Sequence, residues 1–81
     1  MKARTKEEKL LIALHEEALS LGDPEAEVDR YKVGQKIGLH PKGIDIICRD
    51  LAGANFIKKQ GPELVFVTDN GRRLIKEILG E

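Results

Sequence analysis

The chain has 81 residues, and its 14 Lys and Arg residues balance its 14 Asp and Glu residues, so the formal net charge is zero. This length fits one small domain, and the balanced charge argues against a strongly basic nucleic-acid-binding protein. No apolar run approaches the roughly 20 residues that span a bilayer, so we expect no membrane contact. The one cysteine, Cys48, excludes an internal disulfide, so we expect a cytoplasmic protein.

The charges are distributed unevenly along the chain. Residues 16–29 contain six acids and no Lys or Arg, whereas residues 30–44 contain four basic residues, His40 and no acid. Such a separation can create a field that steers a charged partner even when the total charge is zero. Two solvated surfaces would give the same pattern, so the pattern alone leaves both interpretations open.

The first predicted element is an amphipathic helix that begins after Thr5. Thr5 and Glu8 have the spacing of a capping box, in which each side chain accepts a hydrogen bond from a backbone N–H. The inward positions of this helix are apolar at helical spacing: Leu10, Leu11, Leu14, Ala18 and Leu21. Gly22, followed by Asp23-Pro24, ends the helix, and we expect residues 22–28 to form an acidic loop.

A short second helix is predicted after Asp29, whose side chain can cap its N-terminus. Its inward positions are Val33 and Ile37, four residues apart. Gly34 lowers helix propensity, so a close approach by another helix is the expected reason for this glycine. Gly38 ends the helix.

A third helix is predicted after a tight turn. Pro41 suits its first turn, and its inward stripe consists of Ile44, Ile47, Cys48 and Leu51. The helix runs to about residue 53 or 54, and Asn55 is expected to take the left-handed conformation that often follows a helix.

Two extended runs, residues 56–60 and 64–68, are separated by Gly61-Pro62 and predict a β-hairpin. Together with the helices, the hairpin is expected to enclose one contiguous buried cluster: Leu14, Ile37, Ile44, Ile47, Leu51, Phe66 and Ile78.

The last predicted element is a helix capped by Thr68 or Asp69. Its inward stripe consists of Leu74, Ile75, Ile78 and Leu79. Arg72 and Arg73 lie in its first turn, where the helix dipole disfavours cations. Their expected partner is either an external anion or the acidic segment 16–29.

The order of these elements is helix, helix, tight turn, helix, hairpin and helix, which is a helix-turn-helix unit followed by a hairpin in the position of a wing. One set of residues gives the spacing of the turn, the third helix and the entry to the hairpin: Ile37-Gly38-Leu39, Ile44, Cys48, Leu51 and Ala54-Asn55-Phe56-Ile57. Residues 67–73, read as VTDNGRR, resemble an "LTxxGRxx" exit from a wing. Over about residues 29–80 the chain therefore resembles the winged helix-turn-helix family, in particular the small bacterial and archaeal transcriptional regulators of the MarR, ArsR and PadR type.

The resemblance implies an α+β winged helix that occupies a single domain, residues 1–81. It places the helix-turn-helix at about residues 30–54, the two-stranded wing at about residues 56–68 and the C-terminal helix at about residues 69–79.

The family resemblance implies a DNA-binding transcriptional regulator that docks through its second and third helices and its wing. The candidate contacts with DNA are basic residues of these elements: Arg30, Lys32, Lys36, His40, Lys42, Arg49, Lys58 and Lys59. Affinity that comes from such phosphate contacts falls as the salt concentration rises. For the two hairpin lysines, protection of an exposed sheet edge against pairing is an equal explanation.

A second hypothesis is a protein–protein interaction module without sequence-specific DNA binding. On the outward face of the third helix, Asp45 and Asp50 would repel phosphate, although a carboxylate can accept a hydrogen bond from cytosine N4. Ile46 on the same face can contact either a thymine methyl group or a protein. The fold is compatible with both functions.

No residue pattern in the sequence is typical of catalysis. His15 and His40 have no partner at metal-ligand spacing, and there is no nucleophile–base arrangement and no glycine-rich phosphate loop. Cys48 belongs to the apolar stripe and is expected in the core. We expect no enzymatic activity, no cofactor and no metal.

The first helix carries further apolar residues beside its inward stripe. Ile12 and Leu19 lie to one side of it, about two turns apart. Regulators of the resembled type commonly dimerise through terminal helices, so we expect a weak homodimer with these two residues at the contact. Isolated exposed residues on a monomer, or coverage by the loop of residues 22–28, would also explain them.

Overall fold

The computed structural model describes residues 4–80 and has an α+β fold. These residues form four helices and one three-stranded antiparallel sheet, in the order α1 (Lys6–Ser20), β1 (Val28–Asp29), α2 (Arg30–Lys36), α3 (Pro41–Gly53), β2 (Ile57–Gln60), β3 (Leu64–Val67) and α4 (Asp69–Leu79). Within this range no helix is both long enough and apolar enough to cross a membrane.

The helices begin where side chains can satisfy the free N–H groups of the first turn. The capping box of α1 is present, with the Thr5 N–H donating to Glu8 Oε1 at 2.8 Å and the Glu8 N–H donating to Thr5 Oγ1 at 3.1 Å. Asp29 caps α2, and Thr68 caps α4 by accepting from the Gly71 N–H at 3.1 Å. These predicted helix starts are confirmed.

The sheet contains a strand that the sequence did not predict. Val28 was expected to end an acidic loop, but it is buried and pairs with Val65, and Asp29 pairs with Leu64. The prediction was wrong because a strand of two residues is too short to show alternation, and its pairing depends on residues more than 30 positions away. The sheet order is β1-β3-β2, so β3 is the central strand.

The predicted hairpin is confirmed, and its register divides its side chains between two faces. Ile57, Val65 and Val67 are buried on one face, against the helices. Phe66 alternates with Val65 and Val67 and therefore lies on the other face, where it is only partly buried. Its assignment to the buried cluster was wrong for this reason.

One cluster of buried residues joins the helices to the sheet. Leu14, Ile44, Ile47 and Leu51 belong to it as predicted. Ile37, however, is 40% exposed, because α2 ends at Lys36 and Ile37 is its C-terminal cap. Leu21 is exposed for the same reason at the end of α1.

In α4, the buried residues are Gly71 and Ile75, so Ile75 is the buried member of the predicted stripe. Ile78 is only partly buried and Leu79 is exposed. The first two residues of the predicted stripe, Leu74 and Ile75, therefore pack in or against the core.

Two glycines allow elements to approach more closely than a side chain would permit. A Cβ atom on Gly34 would lie 2.6 Å from Ile44 Cγ1, so α2 and α3 pack at the helix–helix contact predicted for this glycine. A Cβ atom on Gly71 would lie 2.7 Å from Val67 Cγ1 and would overlap the carbonyl oxygen of Phe56. The start of α4 is therefore in contact with the backbone of the hairpin.

Candidate nucleic-acid interface

The outward face of α3 carries an exposed ridge of three residues. Lys42, Ile46 and Arg49 follow one another at spacings of four and three, which places them on one side of the helix. All three are exposed, and they lie opposite the buried stripe of α3. The ridge thus has a cation at each end and an apolar side chain, 48% exposed, between them.

The N-terminus of α3 adds positive potential at one end of this ridge. His40 is its N-terminal cap, but its side chain makes no capping hydrogen bond within the described residues, and Pro41 follows. The first turn contains no acidic residue, so nothing there neutralises the partial positive charge of the helix dipole. His40 and Lys42 are both exposed at this end.

The two carboxylates predicted on the outward face flank the ridge on different sides. Asp45 Oδ1 accepts a hydrogen bond from the Tyr31 hydroxyl at 2.5 Å and lies 3.7 Å from Arg30 Nη2. Asp50 lies on the other side, where it lines an apolar groove together with Glu7. Asp45 is therefore paired with Arg30, whereas Asp50 makes no ion pair among the described residues, and the two cations of the ridge outnumber it.

Arg30 does not occupy the position expected of a phosphate contact. It is 7% exposed, and its Nη2 donates to the carbonyl oxygen of Pro62 at 2.8 Å and to the Tyr31 hydroxyl at 3.1 Å. Its guanidinium also lies over the Tyr31 ring, 4.9 Å from the centroid. This burial is at odds with the predicted role of Arg30 as a direct contact with DNA.

The other basic residues of α2, Lys32 and Lys36, are four residues apart and share one face of the helix. Gly34, midway between them, faces Ile44 of α3, so both lysines lie on the side of α2 that faces away from α3. Lys32 is exposed, and Lys36 Nζ lies 3.5 Å from Glu17 Oε1 of α1.

The two hairpin lysines lie on opposite faces of the sheet. Lys59 shares a face with Ile57 and Val65, next to α3, and its charge acts on the buried Cys48 thiol. Lys58 pairs with Phe66 on the other face, where it lines a separate cleft. Of the two, only Lys59 therefore lies on the face of the hairpin that is next to α3.

Arg72, the first arginine of α4, pairs with the acidic loop, which is one of its two expected partners. Arg72 Nη2 lies 3.7 Å from Glu25 Oε1 and also pairs with Asp69. Arg72 is thus engaged with the acidic loop, and Arg73 is exposed beside it in the same cleft as Lys58.

Comparison of the chain with protein-family models, with curated proteins and with solved structures finds no match. The function of this surface is therefore inferred from its own charges and geometry.

Of the two residues predicted at a homodimer contact, only Leu19 is exposed. Ile12 packs against the hydrophobic core, whereas Leu19 is 50% exposed. The pair does not form a continuous apolar stripe on the surface. The homodimer stays a prediction, with Leu19 as the remaining contact.

Tyr31 is the residue of this site that the sequence analysis missed. It is the only tyrosine, and it joins α2 to α3 through Asp45, which is 14 residues away. A polar aromatic residue in the first turn of a capped helix, next to an arginine, is the signal that could have found it.

Cys48 is a core residue, as predicted. It is fully buried, and burial raises the pKa of its thiol to about 11, although the charges of Arg30 and Lys59 partly oppose this shift. The thiol is therefore held in its unreactive protonated form at neutral pH.

This raised pKa predicts a loss of stability at high pH. Between the ordinary value of 9.0 and about 11, the folded state keeps the Cys48 proton that the unfolded state has released. A rise in pH through this range therefore lowers the free energy of unfolding. Urea titrations of wild type and Cys48→Ala over the same range should show a steeper fall for wild type. Equal slopes in the two proteins would contradict the prediction.

Proposed function

We propose that this domain is a winged helix-turn-helix that binds DNA and regulates transcription. In this proposal α2 and α3 are the helix-turn-helix, α3 enters the major groove, and β2 and β3 are the wing. The order and lengths of these elements support the proposal. The proposed activity is binding and involves no catalysis.

The observation that carries the proposal is the exposed ridge of Lys42, Ile46 and Arg49 on α3, with Asp45 neutralised at its side. Lysine and arginine contact DNA phosphates and base edges, and an apolar side chain between them can meet a thymine methyl group. A helix is narrow enough to bring all three to the floor of the major groove.

One further cation lies on an element next to α3. Lys59 belongs to the face of the hairpin that adjoins α3, whereas Lys32 lies on the side of α2 that faces away from it. In the proposed complex Lys59 contacts a phosphate beside the groove. Its contribution is electrostatic and independent of sequence.

The proposal is tested by the salt dependence of binding to a mixed-sequence DNA duplex, measured by fluorescence anisotropy. With three phosphate contacts, from Lys42, Arg49 and Lys59, log K should fall with log salt with a slope of about −3. Absence of binding at low salt, or an affinity that does not change with salt, would overturn the proposal.

The two hairpin lysines provide a matched pair of variants for the same measurement. Lys59→Gln should reduce the slope by about 1, because it removes one phosphate contact. Lys58→Gln makes the same chemical change on the opposite face of the sheet and should leave the slope unchanged.

A second candidate function is supported by the groove beside Asp50. Its floor is apolar, and its members come from α1, α3, α4 and the entry to the hairpin: Leu11, Leu51, Ala54, Phe56 and Leu74. Acidic side chains at its rim, Glu7 and Asp50, would favour a basic protein partner over DNA. In a protein-interaction module, Leu74→Lys would disrupt function while Lys42→Glu would not.

A further inference from the structure

The buried guanidinium of Arg30 connects three separate parts of the fold. Its Nη2 donates to the Pro62 carbonyl at the turn of the hairpin and to the Tyr31 hydroxyl of α2. The same nitrogen is 3.7 Å from Asp45 of α3, and Tyr31 donates to that carboxylate. Arg30 and Tyr31 together therefore hold Asp45 on the α2 side of α3.

The position of Asp45 matters because of its neighbours on the helix. Lys42 is three residues before it and Arg49 is four residues after it, and both spacings allow ion pairs along a helix. Within residues 4–80, however, neither cation makes an ion pair, and the partner recorded for Asp45 is Arg30. The carboxylate is thus kept from the two cations of the ridge.

Stability alone does not account for Arg30. Its Nε and Nη1 are buried and have no hydrogen-bond partner among the described residues. Burying a charged group with unpaired donors costs free energy, and an apolar residue of similar size often stabilises such a position.

Resting on the proposed function, we propose that Arg30 is a positioning residue for DNA binding. It acts through Asp45: it draws the carboxylate toward α2 and neutralises it, which leaves Lys42 and Arg49 available for phosphate. Without Arg30, Asp45 pairs with one of these cations and adds a negative charge next to the DNA. Arg30 itself does not contact the nucleic acid.

The test is a double-mutant cycle with Arg30→Met, Asp45→Asn and the combined variant, read by DNA affinity at constant low salt. Arg30→Met should weaken binding by about tenfold, a change of about 1.4 kcal/mol. Asp45→Asn should bind as well as wild type or better. The combined variant should recover the affinity of Asp45→Asn, because the carboxylate that Arg30 controls is then absent.

Two further measurements separate positioning from a structural role. Urea unfolding of Arg30→Met should show stability equal to or above that of wild type. Tyr31→Phe removes only the hydroxyl that donates to Asp45, so it should weaken binding less than Arg30→Met, and Asp45→Asn should remove its effect as well.

The outcomes distinguish this inference from the proposed function. If wild type binds DNA and the combined variant is as weak as Arg30→Met, Arg30 acts by direct contact or by general structure, and only this inference is overturned. If wild type does not bind DNA at low salt, the proposed function fails and this inference fails with it.

Discussion

Gly71→Ala is expected to lower the free energy of unfolding by about 1–3 kcal/mol, the usual range for an overfilled core. The added Cβ atom would overlap the Phe56 carbonyl oxygen and lie 2.7 Å from Val67 Cγ1. The carbonyl belongs to the backbone and already accepts the Thr68 N–H at 3.0 Å, so it cannot easily move aside. This cost exceeds the gain of about 1 kcal/mol that alanine brings to a helix.

Urea denaturation can compare the stability of Gly71→Ala with that of two other glycine variants. Gly43→Ala meets nothing within 4 Å of the new Cβ atom and should be neutral or stabilising. Gly34→Ala meets Ile44 Cγ1 at 2.6 Å and should fall between the other two variants, because a side chain can shift where a backbone carbonyl cannot. A Gly71→Ala protein as stable as Gly43→Ala would show that α4 does not pack on the hairpin backbone as described.

Lys42→Glu combined with Arg49→Glu is expected to reduce DNA affinity by about two orders of magnitude or more at low salt, because two attractive phosphate contacts become repulsions. Both residues are exposed and make no ion pair within the described part of the chain, so the fold should persist. Circular dichroism and urea unfolding check the fold, and anisotropy with a labelled duplex measures the affinity.

The matched control is Lys9→Glu combined with Lys76→Glu. It changes the net charge by the same amount, but its two exposed residues lie on α1 and α4. Its affinity should fall only slightly. An equal loss in both double variants would mean that overall charge governs binding, and the α3 ridge would lose its proposed role.

Local signals in the sequence were sufficient for most of the fold. A side chain that caps a helix acts within three residues, so Thr5, Asp29 and Thr68 could be read directly. The left-handed conformation predicted for Asn55 is also present, with a φ of 64°. These features depend on neighbouring residues and not on the rest of the molecule.

The predictions that failed depend on distant residues. Strand β1 exists because Val28 meets Val65, and the burial of Arg30 depends on Pro62, which is 32 positions away. In the candidate site, the absence of acids in residues 30–44 singled out Lys32, Lys36 and Lys42 alike, but it could not show that Lys36 turns toward Glu17 of α1. Which exposed charges form ion pairs depends on how the helices pack, and neighbouring residues in the sequence do not determine it.

The direct succession of β1 and α2 has a consequence for the thermodynamics of binding. Asp29 ends the strand and caps the helix, so no flexible connection separates the sheet from α2. A movement of α2 relative to the hairpin would have to break the pairing of β1 with β3 and the bond from the Arg30 N–H to the Glu63 carbonyl. The backbones of α2 and the hairpin are therefore held as one rigid unit, so a partner that contacted both would require little loss of backbone conformational entropy.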